Sequence, residues 1–560
     1  MTERSKTEGA RPLGKGILRR VVSCCLDFDS NEEPTPRQSL FPPLRWTGTR
    51  TRTMALRTRV PMIDASPHRQ ARPRLSLLRE FADSAVWLRL PEEDRIEFRG
   101  AGAVALHLIR GGMNAADAAR EVARRENIPM NRVEHDVATV LAALEIADAG
   151  ETVRRNDGFS ADAAGFQSPR WEPPQKFPGR KYVTFPDRND WLLLVAATAG
   201  RSSAEVALSE WLGAKPPAQR TARRLKPLVA ANLRTQGSPL QIPDGDTVLR
   251  QTWLANTATL NRLAPVLRSL ATTGIRAALI KGTANAMLDY RDLATRPMTD
   301  VDIAVPFADR RRAADVLTSV GFVAHAPPPA PVAHREHGGA FVRPGDLNID
   351  LHWHVLWSSC WAGADDGFWA GAAPIEVQGA PAFAPSAELR FLVAIAHGLR
   401  YERPATRHWV ADTAMILTAH GPEFDWERLR AEARTRRLVR SMREACRFLV
   451  EVMGAPIAAD ELRALEREPT AIFENLNFES FQDRFPRGGP ARTAVVSWIN
   501  QYRIAARGFR LREIVDFLAS LRFHRGAPPW PVFIARMAGS VLRKGTSQLE
   551  QWLRRFGRSG

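Results

Sequence analysis

Cysteine is scarce: Cys24, Cys25, Cys360 and Cys446 are the only four in 560 residues, and no two form a CxxC pair. That spacing excludes a disulfide-stapled secreted scaffold and a thiolate zinc cage. No stretch approaches the ~18 uninterrupted apolar residues of a spanning helix. The N-terminus also lacks the apolar core of ~7 to 15 residues that a secretory signal carries. A cytoplasmic, reducing setting without a transmembrane segment is therefore the expectation. Acidic residues are in deficit, 61 against 79 Lys and Arg, for a formal charge of +18. The surplus sits at the ends: residues 1–60 hold 12 basic against 6 acidic side chains, and residues 501–560 hold 12 against 3. A basic nucleic-acid groove through the middle of the chain is thereby disfavoured, since terminal charge contacts polyanions loosely.

What is present is ordinary globular usage, 44% hydrophobic and 25% charged, over a length that allows several domains. Residues 1–75 mix Pro, Thr, Ser and Arg without period and read as a disordered basic N-terminus, with Met54 a candidate translation start. Residues 76–150 form a compact unit: SAVWLRL (Ser84 to Leu90) alternates like a strand, and two capped helices follow. Asn114 with Asp117, and Asn131 with Glu134, supply the caps, and Val133, Val137, Val140, Leu141 and Leu144 recur at helical spacing. A winged-helix-like module is the expectation. Residues 151–188 read as a Pro- and Gly-rich linker, 189–272 as a helical lead-in and 386–560 as a C-terminal helical region. In the lead-in, Leu260, Leu263, Val266, Leu267 and Leu270 line one face. Between these helical regions, 273–385 switches to short β-favouring runs: AALI (Ala277 to Ile280), VDIAVP (Val301 to Pro306) and NIDLHWHV (Asn348 to Val355), with a helix from Ala308 to Val320. The fold class is α+β.

The chemistry concentrates in LIKGTANAMLDYRDLATRPMTDVDIAVP, Leu279 to Pro306. Asp300 and Asp302 are one residue apart on an expected strand, so a period of two sends both carboxylates to one face. Two repelling anions suit a hard divalent cation such as Mg²⁺ or Mn²⁺. Asp350 lies on a later strand, where Asn348, Asp350 and His352 share a face. Lys281, Gly282 and Thr283 follow an apolar strand and open a helix whose first amides could cradle phosphate, and Arg296 offers a planar fork. Three carboxylates facing such a turn are what two-metal phosphoryl transfer requires. His352, and Arg407, His408 and Asp412 within RHWVADTAM, are further pocket candidates; hydrogen-bonded structural roles are the plainer account of them.

Taken together, the K-G turn, Tyr290, R-P-M (Arg296 to Met298), D-x-D, the helix ending in Gly321-Phe322 and D-L-H-W (Asp350 to Trp353) resemble the uncharacterised nucleotidyltransferase family of the DNA polymerase β-like superfamily. The likeness runs from about Trp191 to Gly454, with His397 and Asp412 in its helical tail. The resemblance implies a small mixed sheet bearing metal carboxylates, here Asp300, Asp302 and Asp350. It also implies an NTP attacked at its α-phosphate by an acceptor hydroxyl, with the third carboxylate helping to deprotonate the nucleophile. Lys281 before Gly282-Thr283 departs from the commoner G-S turn.

The N-terminal unit, HLIRGGMNAADAAREVARRENIPMNRVEHDVATVLAALEIADAG, is similar to PqqD-like peptide-recognition modules, which implies a peptide or peptide natural product as acceptor. The expected activity is Mg²⁺-dependent transfer of a nucleoside monophosphate from an NTP, ATP among them, to a hydroxyl. The rival readings are a non-catalytic peptide-binding scaffold on a decayed transferase, and a small-molecule (aminoglycoside-type) or toxin-like transferase. Nucleic acid is a disfavoured partner.

Overall fold

The computed structural model describes residues 75–80, 84–90, 94–99, 101–141 with short interruptions, 152–155, 184–214, 220–290, 292–325, 333–399, 407–482 and 499–539 with short interruptions. The expected basic N-terminus up to Arg74, Asn131 of the second capping box and most of the linker lie outside them.

Strands β1 (Leu75–Glu80), β2 (Ser84–Leu90) and β3 (Asp94–Arg99) form an antiparallel meander, and β4 (Thr152–Arg155), at the head of the expected linker, pairs parallel with β1. The sheet order is β3-β2-β1-β4. Helices α1 (Ala101–Arg110) and α2 (Ala115–Glu126) follow β3. Asn114 caps α2 as expected: its Oδ1 accepts from the Asp117 amide at 2.9 Å while its Nδ2 donates to the Asp117 carboxylate at 2.6 Å. Val133, Val137 and Val140 are buried against Leu106 and Val122.

Four helices then lead in: α3 (Arg188–Thr198), α4 (Arg201–Ala214), α5 (Arg220–Thr235) and α6 (Gly245–Thr272). The last turn of α6 closes by a Schellman arrangement: Gly274, at φ +72°, lets its own amide reach Ala271 O and the Ile275 amide reach Leu270 O. The chain is thereby turned back into β5 (Ala278–Leu279), which α7 (Lys281–Leu288) follows. The sheet continues with β6 (Val301–Ala304). After α8 (Arg310–Ser319) come β7 (Val323–Ala324), β8 (Gly338–Val342) and β9 (Asn348–His352). A short α9 (Asp366–Ala370) precedes the hairpin β10 (Ala373–Val377) and β11 (Ala380–Ala384). Its turn, at Gln378 and Gly379, has both φ angles positive, the twist a two-residue hairpin loop prefers.

These seven strands form one mixed sheet in the order β10-β11-β5-β6-β9-β8-β7, with β6 and β9 parallel at its centre. Alternation sorts the side chains. Val301, Ile303, Ile349 and Leu351 enter the core under α6 and α8, so Asp302, Ala304, Asp350 and His352 face the opposite side. That side meets a helical layer containing α3, α5, α10 (Ala387–Gly398), α11 (Trp409–His420), α12 (Trp426–Arg436) and α13 (Val439–Glu451). Helices α14 (Ala459–Arg467), α15 (Ile472–Gln482) and α16 (Leu511–His524) complete the described C-terminal region.

Candidate active site

Strand pairing brings the two central carboxylates together. Asp302 and Asp350 are direct partners in the parallel β6–β9 register, and Ala304 is opposite His352. Asp302, Asp350 and His352 each offer a ligand atom, and these atoms lie within 4.8 Å of one another. Asp302 is almost wholly buried. Its Oδ1 accepts from Lys281 Nζ at 2.7 Å and lies 3.0 Å from His352 Nε2. Burial pushes the Asp302 carboxyl up, but the Lys281 charge and the hydrogen bond with His352 outweigh it and hold the group well below the usual carboxylate range. Asp350 moves the other way: burial first, then the charges of Asp302 and Asp300, raise its pKa. A pair of carboxylates with one ammonium beside them is under-neutralised, and a divalent cation fits that imbalance. The two oxygen donors suit Mg²⁺ or Mn²⁺, and the imidazole nitrogen widens the set toward the latter.

Asp300 departs from the expected geometry. Strand β6 begins at Val301, so Asp300 stands one residue outside it, exposed, with Thr299 Oγ1 donating to its Oδ1 at 2.8 Å. It acts on the cluster by charge, raising Asp350. His352 takes the place in the close triad that the D-x-D spacing gives to Asp300.

The Lys281-Gly282-Thr283 turn also differs in detail. Lys281, at φ +50°, begins α7 and aims its ammonium at Asp302. Gly282 makes room for a side chain rather than a phosphate: a Cβ there would lie 2.6 Å from Arg296 Nη1. Thr283 is fully buried, and its hydroxyl is enclosed without a partner. Arg296, expected to grip phosphate, has its fork occupied. Its Nε and Nη2 donate to the two Asp412 oxygens at 2.7 and 2.8 Å, and its Nη1 donates to Gly282 O at 3.0 Å. Tyr290 donates its hydroxyl to the same Asp412 at 2.7 Å. Burial alone would raise the Asp412 carboxyl, yet Arg296 brings it down to about 2. Arg296 is thus a brace behind the turn, and Asp412 is its counter-ion.

Arg407 and His408 stay apart from the triad. Arg407 donates to Phe185 O at 2.9 Å and faces Asp190 at 3.6 Å. His408 Nε2 lies 3.1 Å from Arg224 Nη1, and burial lowers its pKa to about 3. Sequence reading missed Arg224. It lines a small cleft with Tyr290, Thr295, Arg296, His408 and Asp412, and its Nη2 donates to Thr299 Oγ1 at 3.2 Å, linking the cleft to Asp300. Nothing within RTARRLKP singles it out from its arginine neighbours.

Solved structures with some likeness include the antibiotic-resistance factor ANT(2'')-Ia. It has 16% identity and a TM-score of 0.25, and the match covers 34% of this chain and 96% of that one. Another is an antigenic nucleotidyltransferase-like protein from Paracoccidioides brasiliensis, at 16% identity and a TM-score of 0.25, with 38% and 94% covered. No curated protein matches the chain. Residues 218–454 match the family described as uncharacterised nucleotidyltransferase. That segment spans the turn, the acidic strand pair and the bracing helix, and over it the chain is similar to nucleotidyltransferases.

Proposed function

We propose that the chain transfers a nucleoside monophosphate from an NTP to a hydroxyl acceptor, with a divalent cation, Mg²⁺ or Mn²⁺, held by Asp302, Asp350 and His352 and assisted by the charge of Asp300. The observation that carries this reading is the in-register pairing of Asp302 with Asp350 on the sheet face that also bears His352 and receives the Lys281 ammonium from α7. The cation, when bound, neutralises phosphate charge and orients the triphosphate. The acceptor oxygen forms a bond to the α-phosphorus, the bond from that phosphorus to the bridging oxygen breaks, and pyrophosphate departs with the electron pair. Asp350, paired in register with Asp302, would take the hydroxyl proton. Lys281, whose side chain is partly exposed beside Asp302, would contact the phosphates. The α7 amides add a positive helix terminus. Arg296 and Thr283 support the turn from behind.

In this reading the N-terminal module delivers the acceptor. Its sheet ends in the edge strands β3 and β4, and an extended peptide can add to such an edge as another strand. The experiment is incubation of the protein with each labelled NTP, Mg²⁺ or Mn²⁺, and acceptor sets of peptides, aminoglycosides and tRNA, followed by mass. Label on one acceptor class with release of pyrophosphate, lost on chelation, is expected. A folded protein that releases no pyrophosphate from any NTP would leave the scaffold reading standing instead.

A further inference from the structure

Ten large apolar side chains are exposed among the described residues, and six of them, Leu511, Ile514, Val515, Trp530, Val532 and Ile534, fall within 24 consecutive positions. Six of ten within so short a stretch concentrates the exposed apolar side chains in one part of the chain. Leu511 is 78% exposed, Val515 50% and Ile534 60%.

The charges in the same stretch are sorted. Helix α16 turns its acids inward: Glu513 accepts from the Gly508 amide at 3.2 Å and from the Tyr502 hydroxyl at 3.4 Å, and Asp516 acts on Arg335 and His334. Phe517 packs edge-on against Tyr502 on that inner side. Outward, Arg510 and Arg512 flank Leu511, and Arg536 follows Ile534, all exposed. Arg522 lies over the Trp530 ring, 5.1 Å from its centroid. Residues 510–537 therefore expose apolar side chains, an indole and arginines, with no exposed acid among the described ones. By sequence, residues 501–560 hold 12 basic side chains against 3 acidic.

We propose that this C-terminal surface, residues 510–537, docks on an anionic lipid bilayer. The apolar side chains and Trp530 enter the boundary between headgroups and acyl chains, and the arginines meet the lipid phosphates. A nucleic acid would satisfy the arginines and leave the apolar side chains in water. A second copy of the chain would set the exposed Arg510, Arg512 and Arg536 against their own kind. Only an anionic bilayer complements both features at once, and it needs no spanning segment: no described helix is long and apolar enough to cross. The docked surface stays coupled to the catalytic sheet, because Arg335 donates to Tyr502 O at 2.7 Å and the Cys360 amide to Ile504 O at 2.6 Å. The proposal stands independently of the transfer reaction.

The test is co-sedimentation of the full chain with vesicles of phosphatidylcholine alone and of phosphatidylcholine with about one-third phosphatidylglycerol. Binding is expected to the anionic vesicles only, and to weaken about tenfold or more between low and high salt. Leu511→Glu with Val515→Glu, at exposed positions and with an unchanged melting curve, should reduce binding at least ~10-fold. Arg510→Ala with Arg512→Ala should reduce it several-fold. Absence from anionic vesicles, equal binding to neutral ones, or binding unaffected by the glutamate pair would overturn the proposal. So would a dimer in light scattering that those glutamates dissolve, which would assign these apolar side chains to a second copy.

Discussion

Two charged clusters lie on either side of the first turn of α7, and they are built on opposite rules. Behind the turn, Arg296, Asp412 and Tyr290 form a closed set. One buried cation meets one buried anion through two hydrogen bonds, the phenol satisfies the remaining demand, and the Gly282 carbonyl takes the third guanidinium donor. In front of it, Asp302 and Asp350 share one ammonium and a histidine, and Asp300 adds a further negative charge nearby. A balanced buried pair holds shape. An unbalanced one destabilises the chain by itself and is retained where a ligand completes it. On the proposed reading this difference sorts the arginine and aspartates of the scaffold from those of the chemistry, a sorting that residue type alone does not give.

The sharpest way to break this comparison is to neutralise one member of each cluster. Asp302→Asn should lower transfer by about 10⁴-fold, equivalent to about 5 kcal/mol of barrier, while the melting temperature stays within a few degrees. Label transfer and calorimetry on the same preparation check it; retained turnover would mean that Asp302 is not in the reacting set. Asp412→Ala should do the reverse. It strands a buried guanidinium, and breaking a buried pair costs about 4 kcal/mol of stability, read in urea unfolding. If that variant melts normally but loses activity, the brace belongs to the site after all.

The local parts of this arrangement were legible from sequence and the non-local ones were not. A period of two along NIDLH puts Asp350 and His352 on one face, and the structure agrees. The same rule applied to D-x-D puts Asp300 beside Asp302, whereas the strand starts at Val301 and the close triad holds His352 in place of Asp300. Leu260, Leu263, Val266, Leu267 and Leu270 declared their face of α6, since each repeats at helical spacing, and all five are buried. Arg296 misled: an arginine near a glycine turn has the chemistry of a phosphate clamp, and its true partner is 116 residues away. The hairpin β10–β11 also went unread, because GAAPIEVQGAPAFA carries few of the residues that favour strands.

A smaller effect tests the glycine that joins the two clusters. Gly282→Ala pushes a methyl group against Arg296 Nη1, so the guanidinium must shift or the turn must open. Stability should fall by about 2 kcal/mol, as in other overpacked sites, and transfer should fall about tenfold through misplacement of Lys281. Arg296→Lys in the same background relieves the clash and should restore part of the stability, a rescue that a phosphate-binding glycine would not show.

The weakest expected effect concerns His408, at the edge of the closed cluster. Burial, reinforced by the charges of Arg224 and Arg296 and opposed by Asp412, holds its pKa at about 3 against an ordinary value of 6.5. The unfolded chain therefore binds a proton below pH 6.5 that the folded chain refuses until about pH 3. The stability His408 contributes is complete above pH 6.5 and is lost progressively as pH falls through that window. The residue as a whole is only partly buried, so solvent screens part of the penalty, leaving about 1 kcal/mol between pH 7.5 and pH 5. Urea unfolding of wild type and His408→Gln at those two values isolates it: the variant should be less sensitive to acid by that amount. Equal sensitivity would mean that His408 takes up its proton without cost, and the cleft beside Arg224 would then be a wetter place than its buried imidazole nitrogen indicates.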